Sequence, residues 1–195
     1  MGDPRFSRRM YETPKHPWEA TRMDEERKML ERYGLKNKRE LWKAQSVLRG
    51  FRRQARDLQA RLRANEPQAQ RETDQLLGRL KRLGLLTTPE PTLDDVLALS
   101  TEDLLRRRFD AIVARRGLSP TVRAARKWIV HGHFSLGGHR VTRPGLLVPS
   151  AQEGEIEYSP TSPYADADHP ARVELKQRTD VGAATSPGTD APSAG

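Results

Sequence analysis

The sequence predicts an α+β protein in which a helical region precedes a small basic module of two helices and a β-hairpin. Apolar residues recur at helical spacing over residues 21–99, which favours α-helices there. Within residues 100–178 this pattern gives way to apolar–polar alternation on either side of Gly137-Gly138, which favours a hairpin. We expect an extended arm over residues 1–20 and a disordered tail over residues 179–195, because neither stretch has an apolar period.

The composition limits the cores and indicates the partner. Only 35% of the 195 residues are hydrophobic and 31% are charged, so the cores must be small. The net charge of +9 indicates a polyanion as partner. This charge is partitioned, because residues 1–86 carry +10 and residues 106–148 carry +9, whereas residues 87–105 and 149–195 each carry −5. Two basic surfaces are therefore expected.

Several classes of function are excluded by what the sequence lacks. It has no cysteine, which excludes disulfides, thiol catalysis and cysteine-ligated zinc. No apolar run reaches the ~20 residues that a membrane span needs, and MGDPRFSRRM lacks the apolar stretch of a secretory signal. We therefore expect a cytoplasmic protein that does not bind membranes. No nucleophile elbow, phosphate-binding glycine loop or dinucleotide fingerprint occurs, so we expect neither enzyme activity nor a cofactor.

Two groups of residues could suggest a more specific chemistry. The acid pairs Asp94-Asp95 and Glu102-Asp103 stand at predicted helix starts, where carboxylates complement the helix dipole. His131 and His133 could bind a metal, but a histidine pair without acidic neighbours in a basic stretch is a poor cation site. We expect no metal there, and histidines that donate to phosphate or pack in the turn.

The arm interleaves cations with aromatic rings. Residues 1–20 hold three prolines, and a floppy terminus is one interpretation. The alternation of cations with Phe6, Tyr11 and Trp18 favours an arm that lies on RNA, with cations on phosphates and rings stacked or packed. The cations are Arg5, Arg8, Arg9, Lys15 and His16.

The helical region is expected to hold three longer helices. The first covers residues 22–33, and Asn37 starts the second, with Glu40 at the capping-box position. The apolar stripe of the second helix predicts packing against a third helix between Pro67 and Gly84. The other faces of the second helix can be merely solvated, or can contact phosphates, since arginine forms bidentate contacts with them. Those faces carry Arg49, Arg52, Arg53, Arg56, Arg61 and Arg63.

The module has its densest pattern in its core, residues 106–148. Thr92 and Ser100 are predicted caps of two short helices, and we expect the helix over residues 101–115 to be continuous. A second helix is expected to begin with Ser119 as its cap and Pro120 in its first turn. We expect this helix to leave Arg123, Arg126 and Lys127 free, and residues 155–158 can add a third strand to the hairpin.

The run RFDAIVARRGLSPTVRAARKWIVHGHFSLGGHRVTRPGLLV closely resembles the RNA-binding domain named after small-subunit ribosomal protein S4. The resemblance is carried by Arg108 and Asp110, by residues 121–127, and by His131-Gly132-His133 followed by Gly137-Gly138 and Val141. The stretches GDPR…YETPKHPW and EERKMLERYGLKNKRELW resemble the archaeal form of the same ribosomal protein, so the resemblance covers about residues 2–178.

This resemblance implies a structural protein, one copy per ribosome, that binds small-subunit rRNA and nucleates assembly of the subunit body. It also implies contacts with other small-subunit proteins, among them ribosomal protein S5, with which it would contribute to translational accuracy. The zinc site of some bacterial relatives needs cysteines and is not carried over.

The resemblance implies an RNA face made of Arg108, Thr121, Arg123, Arg126, Lys127, His131 and His133. The charge pattern adds Arg115, Arg116, Arg140 and Arg143 in the module, and Arg5, Arg8, Arg9, Lys15, Arg49, Arg52, Arg53 and Arg56 in the arm and helices. Asp110 is interpreted as a structural acid that holds an arginine in position.

Two other functions use the same domain. One is a ribosome-biogenesis or small nucleolar ribonucleoprotein factor. The other is an RNA-modifying enzyme, such as a pseudouridine synthase, which needs a catalytic domain with an essential aspartate, and none is visible in the sequence.

Overall fold

A computed structural model describes residues 9–166, 169–170 and 172–173 of the chain. The predicted RNA contacts Arg5 and Arg8, and the tail predicted over residues 179–195, lie outside the described residues. No helix in the described ranges is long and apolar enough to cross a membrane.

The predicted order of helices followed by a small sheet is confirmed. The helices are α1 (Ala20–Arg32), α2 (Lys38–Arg63), α3 (Pro67–Arg82), α4 (Leu93–Ala98), α5 (Thr101–Arg106), α6 (Phe109–Arg115) and α7 (Val122–His131). The strands are β1 (Phe134–Leu136), β2 (His139–Val141) and β3 (Ile156–Tyr158), in the antiparallel order β2-β1-β3. The expected third strand is therefore present.

The predicted caps start the helices of the first half. The Asn37 side chain accepts a hydrogen bond from the Glu40 backbone N–H at 3.2 Å. Thr92 and Ser100 form complete capping boxes with Asp95 and Asp103, in which side chain and backbone bond reciprocally. Glu40 does not complete such a box, because its carboxylate is engaged elsewhere.

Helix α2 is the axis of the first core. It is about 39 Å long, and its buried stripe of Leu41, Leu48, Phe51, Ala55 and Leu58 packs with residues of α3, α4 and α5. Leu104 and Leu105 of α5 belong to this first core, whereas Phe109 begins the second. Among the described residues, the first core therefore ends at Leu105 and the second begins at Phe109. The predicted boundary at residue 99 lies a few residues earlier.

The continuous helix expected over residues 101–115 is wrong. The chain leaves the helix at Arg107 and is extended at Arg108, with φ −70° and ψ 146°. The backbone pairs here with a distant segment, since Phe109 N–H donates to Leu146 O at 2.8 Å and Val148 N–H donates to Arg107 O at 3.2 Å. The apolar spacing runs on through this break, so a periodicity argument does not detect it.

The cap expected at Ser119 is also wrong. Helix α7 begins at Val122, and its cap is Thr121, whose hydroxyl oxygen accepts from Ala124 N–H at 3.1 Å. Ser119 is buried and donates instead to the carbonyl of Thr121 at 3.3 Å. A serine–proline pair marks a helix start, but here the cap lies two residues after the serine, at Thr121.

The second core joins α6, α7 and the sheet, and residues after the hairpin complete it. Phe109, Ile112, Ile129, Phe134 and Ile156 are fully or almost fully buried in it. Residues 149–166 pack on the module, because β3 pairs with β1 and the Tyr158 hydroxyl donates to Leu118 O at 2.7 Å. Trp128 of α7 stacks on Tyr164, with ring centroids 4.4 Å apart.

Two glycines give opposite expectations for alanine substitution. Gly132 ends α7 with φ 79°, a conformation that L side chains rarely adopt, and a Cβ there would meet the Arg140 guanidinium. We expect Gly132→Ala to destabilise the protein by about 1–2 kcal/mol. Gly50 lies inside α2 with nothing within 4 Å of its Cβ position, so Gly50→Ala should stabilise by about 0.5–1 kcal/mol. Urea unfolding measures both, and equal signs would contradict the expectation.

Candidate nucleic-acid interface

Four charged side chains form a cluster at the junction of the two cores, which we call the junction cluster: Glu40, Arg108, Asp110 and Arg126. Asp110 is completely buried, and Arg108 holds it through Nε–Oδ1 at 3.0 Å and Nη2–Oδ2 at 2.8 Å. Glu40 of α2 accepts from Arg108 at 3.2 Å and from the two terminal nitrogens of Arg126 at 2.5 and 2.9 Å. The pairing expected of Asp110 is confirmed.

The formal charges of the junction cluster sum to zero. Burial acts to raise the pKa of Glu40, but the hydrogen bond from Arg126 and the charges of Arg108 and Arg126 outweigh it, so its pKa lies below the ordinary value. Two carboxylates balance two guanidinium groups. The expectation that α7 leaves Arg126 free is therefore wrong. RNA contact by Arg108 and Arg126 stays a prediction.

A second cluster surrounds Glu153, on the acidic segment that precedes β3. Arg107, which is buried, donates to Glu153 at 2.9 Å and to Val148 O at 2.9 Å, and Arg115 also pairs with Glu153. Arg116 donates to the carbonyls of Glu153 at 2.6 Å and Ile156 at 3.1 Å. Burial acts to raise the pKa of Glu153, but hydrogen bonds from Arg107 and Arg115 outweigh it and lower the pKa. These contacts hold the acidic segment against α6.

The remaining cations of α7 point to solvent. Arg123 and Lys127 are exposed, and neither has an ion-pair partner in the part of the chain that the structure describes. The start of α7 lies against the α1–α2 turn, because a Cβ on Gly34 would be 3.1 Å from the Arg123 backbone nitrogen. Thr121 is exposed beside them, with its oxygen used in the cap.

A cleft of about 450 Å³ opens between α2 and residues 142–147. Lys43, Arg126 and Arg143 supply cations to its walls, with Glu40 and Arg108 at the junction cluster. Lys43 and Arg143 have no ion-pair partner among the described residues. Lys43 was missed by the sequence analysis, although it follows Glu40 by three residues and so lies on the same face of α2.

His133 packs in the turn, whereas His131 is exposed. The His133 ring lies 3.0 Å from the Ser162 hydroxyl, through Nδ1, and edge-on to Tyr164 at 4.9 Å. Burial lowers the pKa of His133, and the nearby His131 and Arg140 lower it further. Arg140 donates to the His131 carbonyl at 2.7 Å. No group of three or more metal-ligating side chains occurs within the described ranges.

Some of the cations predicted in the arm and α2 contact other residues of the chain, and others face solvent. Arg9 lies over the ring of Tyr11 at 4.8 Å, Arg49 pairs with Glu12, and Arg52 donates to Leu99 O at 2.5 Å. Exposed side chains of this set that have no ion-pair partner in the described part of the chain are Arg9, Lys15, Arg53, Arg56 and Arg63.

Comparison with known proteins gives matches to both halves of the chain. The family model described as "Ribosomal protein S4/S9 N-terminal domain" matches residues 5–106, and the model described as "S4 domain" matches residues 107–153. Small ribosomal subunit protein uS4 of the archaeon Picrophilus torridus is 49% identical over 90% of this chain and 95% of its own length. The proteins of that name from Thermoplasma acidophilum and Methanococcus maripaludis (strain C6) are 49% and 48% identical, over 87% and 96% of their lengths and about nine-tenths of this chain.

Removing one acid of the junction cluster should destabilise the fold. Asp110→Asn removes a negative charge that pairs with the buried Arg108, so we expect the free energy of unfolding to fall by about 3–5 kcal/mol. Glu40→Gln keeps the shape of the side chain and removes only its charge, so we expect the free energy of unfolding to fall by about 1–3 kcal/mol. Urea unfolding measures both. Glu31→Gln is the control, because Glu31 is an exposed α1 residue whose pair with Arg27 spans 3.7 Å, and its stability should not change.

Acid should remove the contribution of Glu40. Its folded pKa lies below its ordinary value of 4.5, so the stabilisation is complete above pH 4.5 and is lost as the pH falls through the folded pKa. The stability difference between wild type and Glu40→Gln should stay constant from neutral pH down to 4.5 and shrink below it. Urea unfolding over a pH series tests this, and a difference that does not change with pH would contradict the assignment.

Proposed function

This chain belongs to the family of small ribosomal subunit protein uS4, and on that premise we propose that it is a structural constituent of the small subunit that binds rRNA directly. The RNA would lie on the outer side of α7, across the cleft between α2 and residues 142–147, and along the outer face of α2. The protein has a structural role in this proposal and carries out no reaction.

One observation carries the proposal. Cations that form no internal ion pair lie on both sides of the junction. Arg123 and Lys127 come from α7, Arg143 from the loop after the hairpin, and Lys43 and Arg53 from α2. Uncompensated cations spread over two rigidly joined units suit the phosphates of a folded RNA, which is held by shape and backbone contacts.

Arg108 and Arg126 differ from these free cations, because both are held in internal ion pairs. The Arg108 side chain is 8% exposed and both of its pairs are inside the protein, so it positions α2 against the module. Arg126 is 20% exposed and lines the cleft while it bonds to Glu40. It can therefore meet a phosphate only from the side that faces the cleft.

The finer functions rest on the family resemblance. We propose that the chain nucleates assembly of the subunit body, contacts ribosomal protein S5, and contributes with it to translational accuracy. Sedimentation distinguishes this from an assembly factor, because a constituent remains in mature, translating small subunits. Confinement to precursor particles would favour the assembly factor.

Binding to purified small-subunit rRNA should depend on the free cations of α7. We expect the double variant Arg123→Ala, Lys127→Ala to bind more weakly and to reduce the slope of log affinity against log salt by about 1.4–1.8, since each phosphate contact contributes about 0.7–0.9. Filter binding or fluorescence anisotropy over a salt series measures this.

The matched control is Arg27→Ala, Lys28→Ala on α1. It removes the same charge from two exposed residues that stand among Asp24, Glu25 and Glu31. We expect its salt slope to stay near that of the wild type. If both double variants lose the same affinity, the effect is one of net charge and the assigned face is wrong.

A further inference from the structure

A buried carboxylate that the sequence analysis did not single out joins the arm to the first two helices. Glu26 of α1 is 3% exposed. It accepts hydrogen bonds from Arg22 at 2.6 Å and from the Trp42 indole N–H at 3.0 Å, and it pairs with Lys38 at 3.0 Å. Burial acts to raise its pKa, but these three donors outweigh it and lower the pKa. An ionised, enclosed carboxylate therefore fixes the Arg22 side chain.

Arg22 in turn braces the last turn of the arm. Its Nη2 donates to the carbonyls of His16 and Pro17, each at 2.9 Å, while Nη1 is held by Glu26. Pro17 fixes its own backbone φ, and α1 starts at Ala20, two residues after Trp18. The backbone of Trp18 is thus held between a proline and a helix. Its backbone conformation is therefore set in the free protein.

This braced turn presents an aromatic ring to solvent. Trp18 is 87% exposed, the most exposed large hydrophobic side chain among the described residues. The other exposed large hydrophobic residues described are Met10, Val47, Val130, Leu146 and Val173. A tryptophan that is 87% exposed and has a fixed backbone presents a flat face that the described part of this chain does not cover.

We propose that Trp18 is a stacking platform for an unpaired base of the bound RNA, with Lys15 at a neighbouring phosphate. Lys15 is exposed and has no ion-pair partner in the described part of the chain, whereas Glu12 pairs with Arg49 and Glu19 with Arg22. An exposed cation three residues before an exposed ring suits a single-stranded nucleotide, since bases stack on aromatic faces and phosphates need the charge.

The platform is separate from the α7 face. Helix α1 has 13 residues and spans about 20 Å. Trp18 precedes its start, whereas Gly34, just past its end, lies against Arg123 of α7. One nucleotide cannot reach both, so the proposal adds a second point of attachment and rests on the proposed function of RNA binding.

The test is binding of the full chain and its Trp18 variants to purified small-subunit rRNA. We expect Trp18→Ala and Trp18→Leu to bind about 5- to 150-fold more weakly, and Trp18→Phe to keep most of the affinity, because only an aromatic ring stacks. Met10→Ala is the matched control, an arm residue that is 77% exposed and should bind as the wild type does. All variants should unfold at the same urea concentration, since the replaced side chains are exposed.

Tryptophan fluorescence gives a second readout. The chain has three tryptophans, of which Trp42 and Trp128 are partly buried. Stacking on a base should quench Trp18, so rRNA should quench the wild type more strongly than Trp18→Phe. Arg22→Gln, which keeps Trp18 and removes the brace, should weaken binding less than Trp18→Ala does.

The outcomes separate the two proposals. If the wild type binds rRNA and Trp18→Ala binds equally well, the platform is wrong and the proposed function stands. Equal affinity of Trp18→Leu and the wild type would mean apolar contact without stacking and would also overturn it. An effect of Trp18→Ala that occurs only when other small-subunit proteins are present would assign the ring to a protein contact. Absence of rRNA binding by the wild type overturns both proposals.

Discussion

The fold depends on one buried interaction, the pairing of Arg108 with Asp110 and the closure of that pair by Glu40 and Arg126. Asp110 has no exposed surface, so its charge is stable only while Arg108 holds both oxygens. The backbone is extended at Arg108, where the helical run is divided into α5 and α6. Glu40 ties α2 to both arginines and so joins the helix of the first core to the elements of the second.

The elements that the sequence predicts correctly are those whose signals are local. The caps at Thr92 and Ser100 use an acid three residues away, and the Gly137-Gly138 turn lies between the two strands that it joins. Two of the failures, the break at Arg108 and the pairing of Arg126, have a distant cause. The break at Arg108 follows from hydrogen bonds with residues 144–148, and Glu40 meets Arg126 across 86 residues of sequence. Nothing within a few residues of Glu40 distinguishes a helix cap from a tertiary ion pair.

The same limit applies to the candidate site. Counting basic residues finds cations that the structure leaves exposed, among them Arg123, Lys127, Arg140 and Arg143. The count does not distinguish a cation that faces solvent from one that holds the protein together. Arg107, Arg108 and Arg126 belong to the second kind, and their acids come from other parts of the sequence. The resemblance to a family implies an RNA face on the module but does not make this distinction, which needs distances.

Because Glu153 and Glu40 pair with different cations, the two sides of the module differ in charge. Glu153 comes from the acidic stretch after the hairpin and occupies Arg107 and Arg115 next to α6, and Arg116 is held by carbonyls of the same segment. On the other side, Glu40 pairs with Arg108 and, among the cations of α7, with Arg126, and the neighbouring cations of α7 and the cleft have no ion-pair partner among the described residues. The acidic segment therefore neutralises positive charge on the side of α6, whereas positive charge remains on the side of α7. A polyanion that approaches such a module meets one favourable orientation, which a uniformly basic surface would not provide.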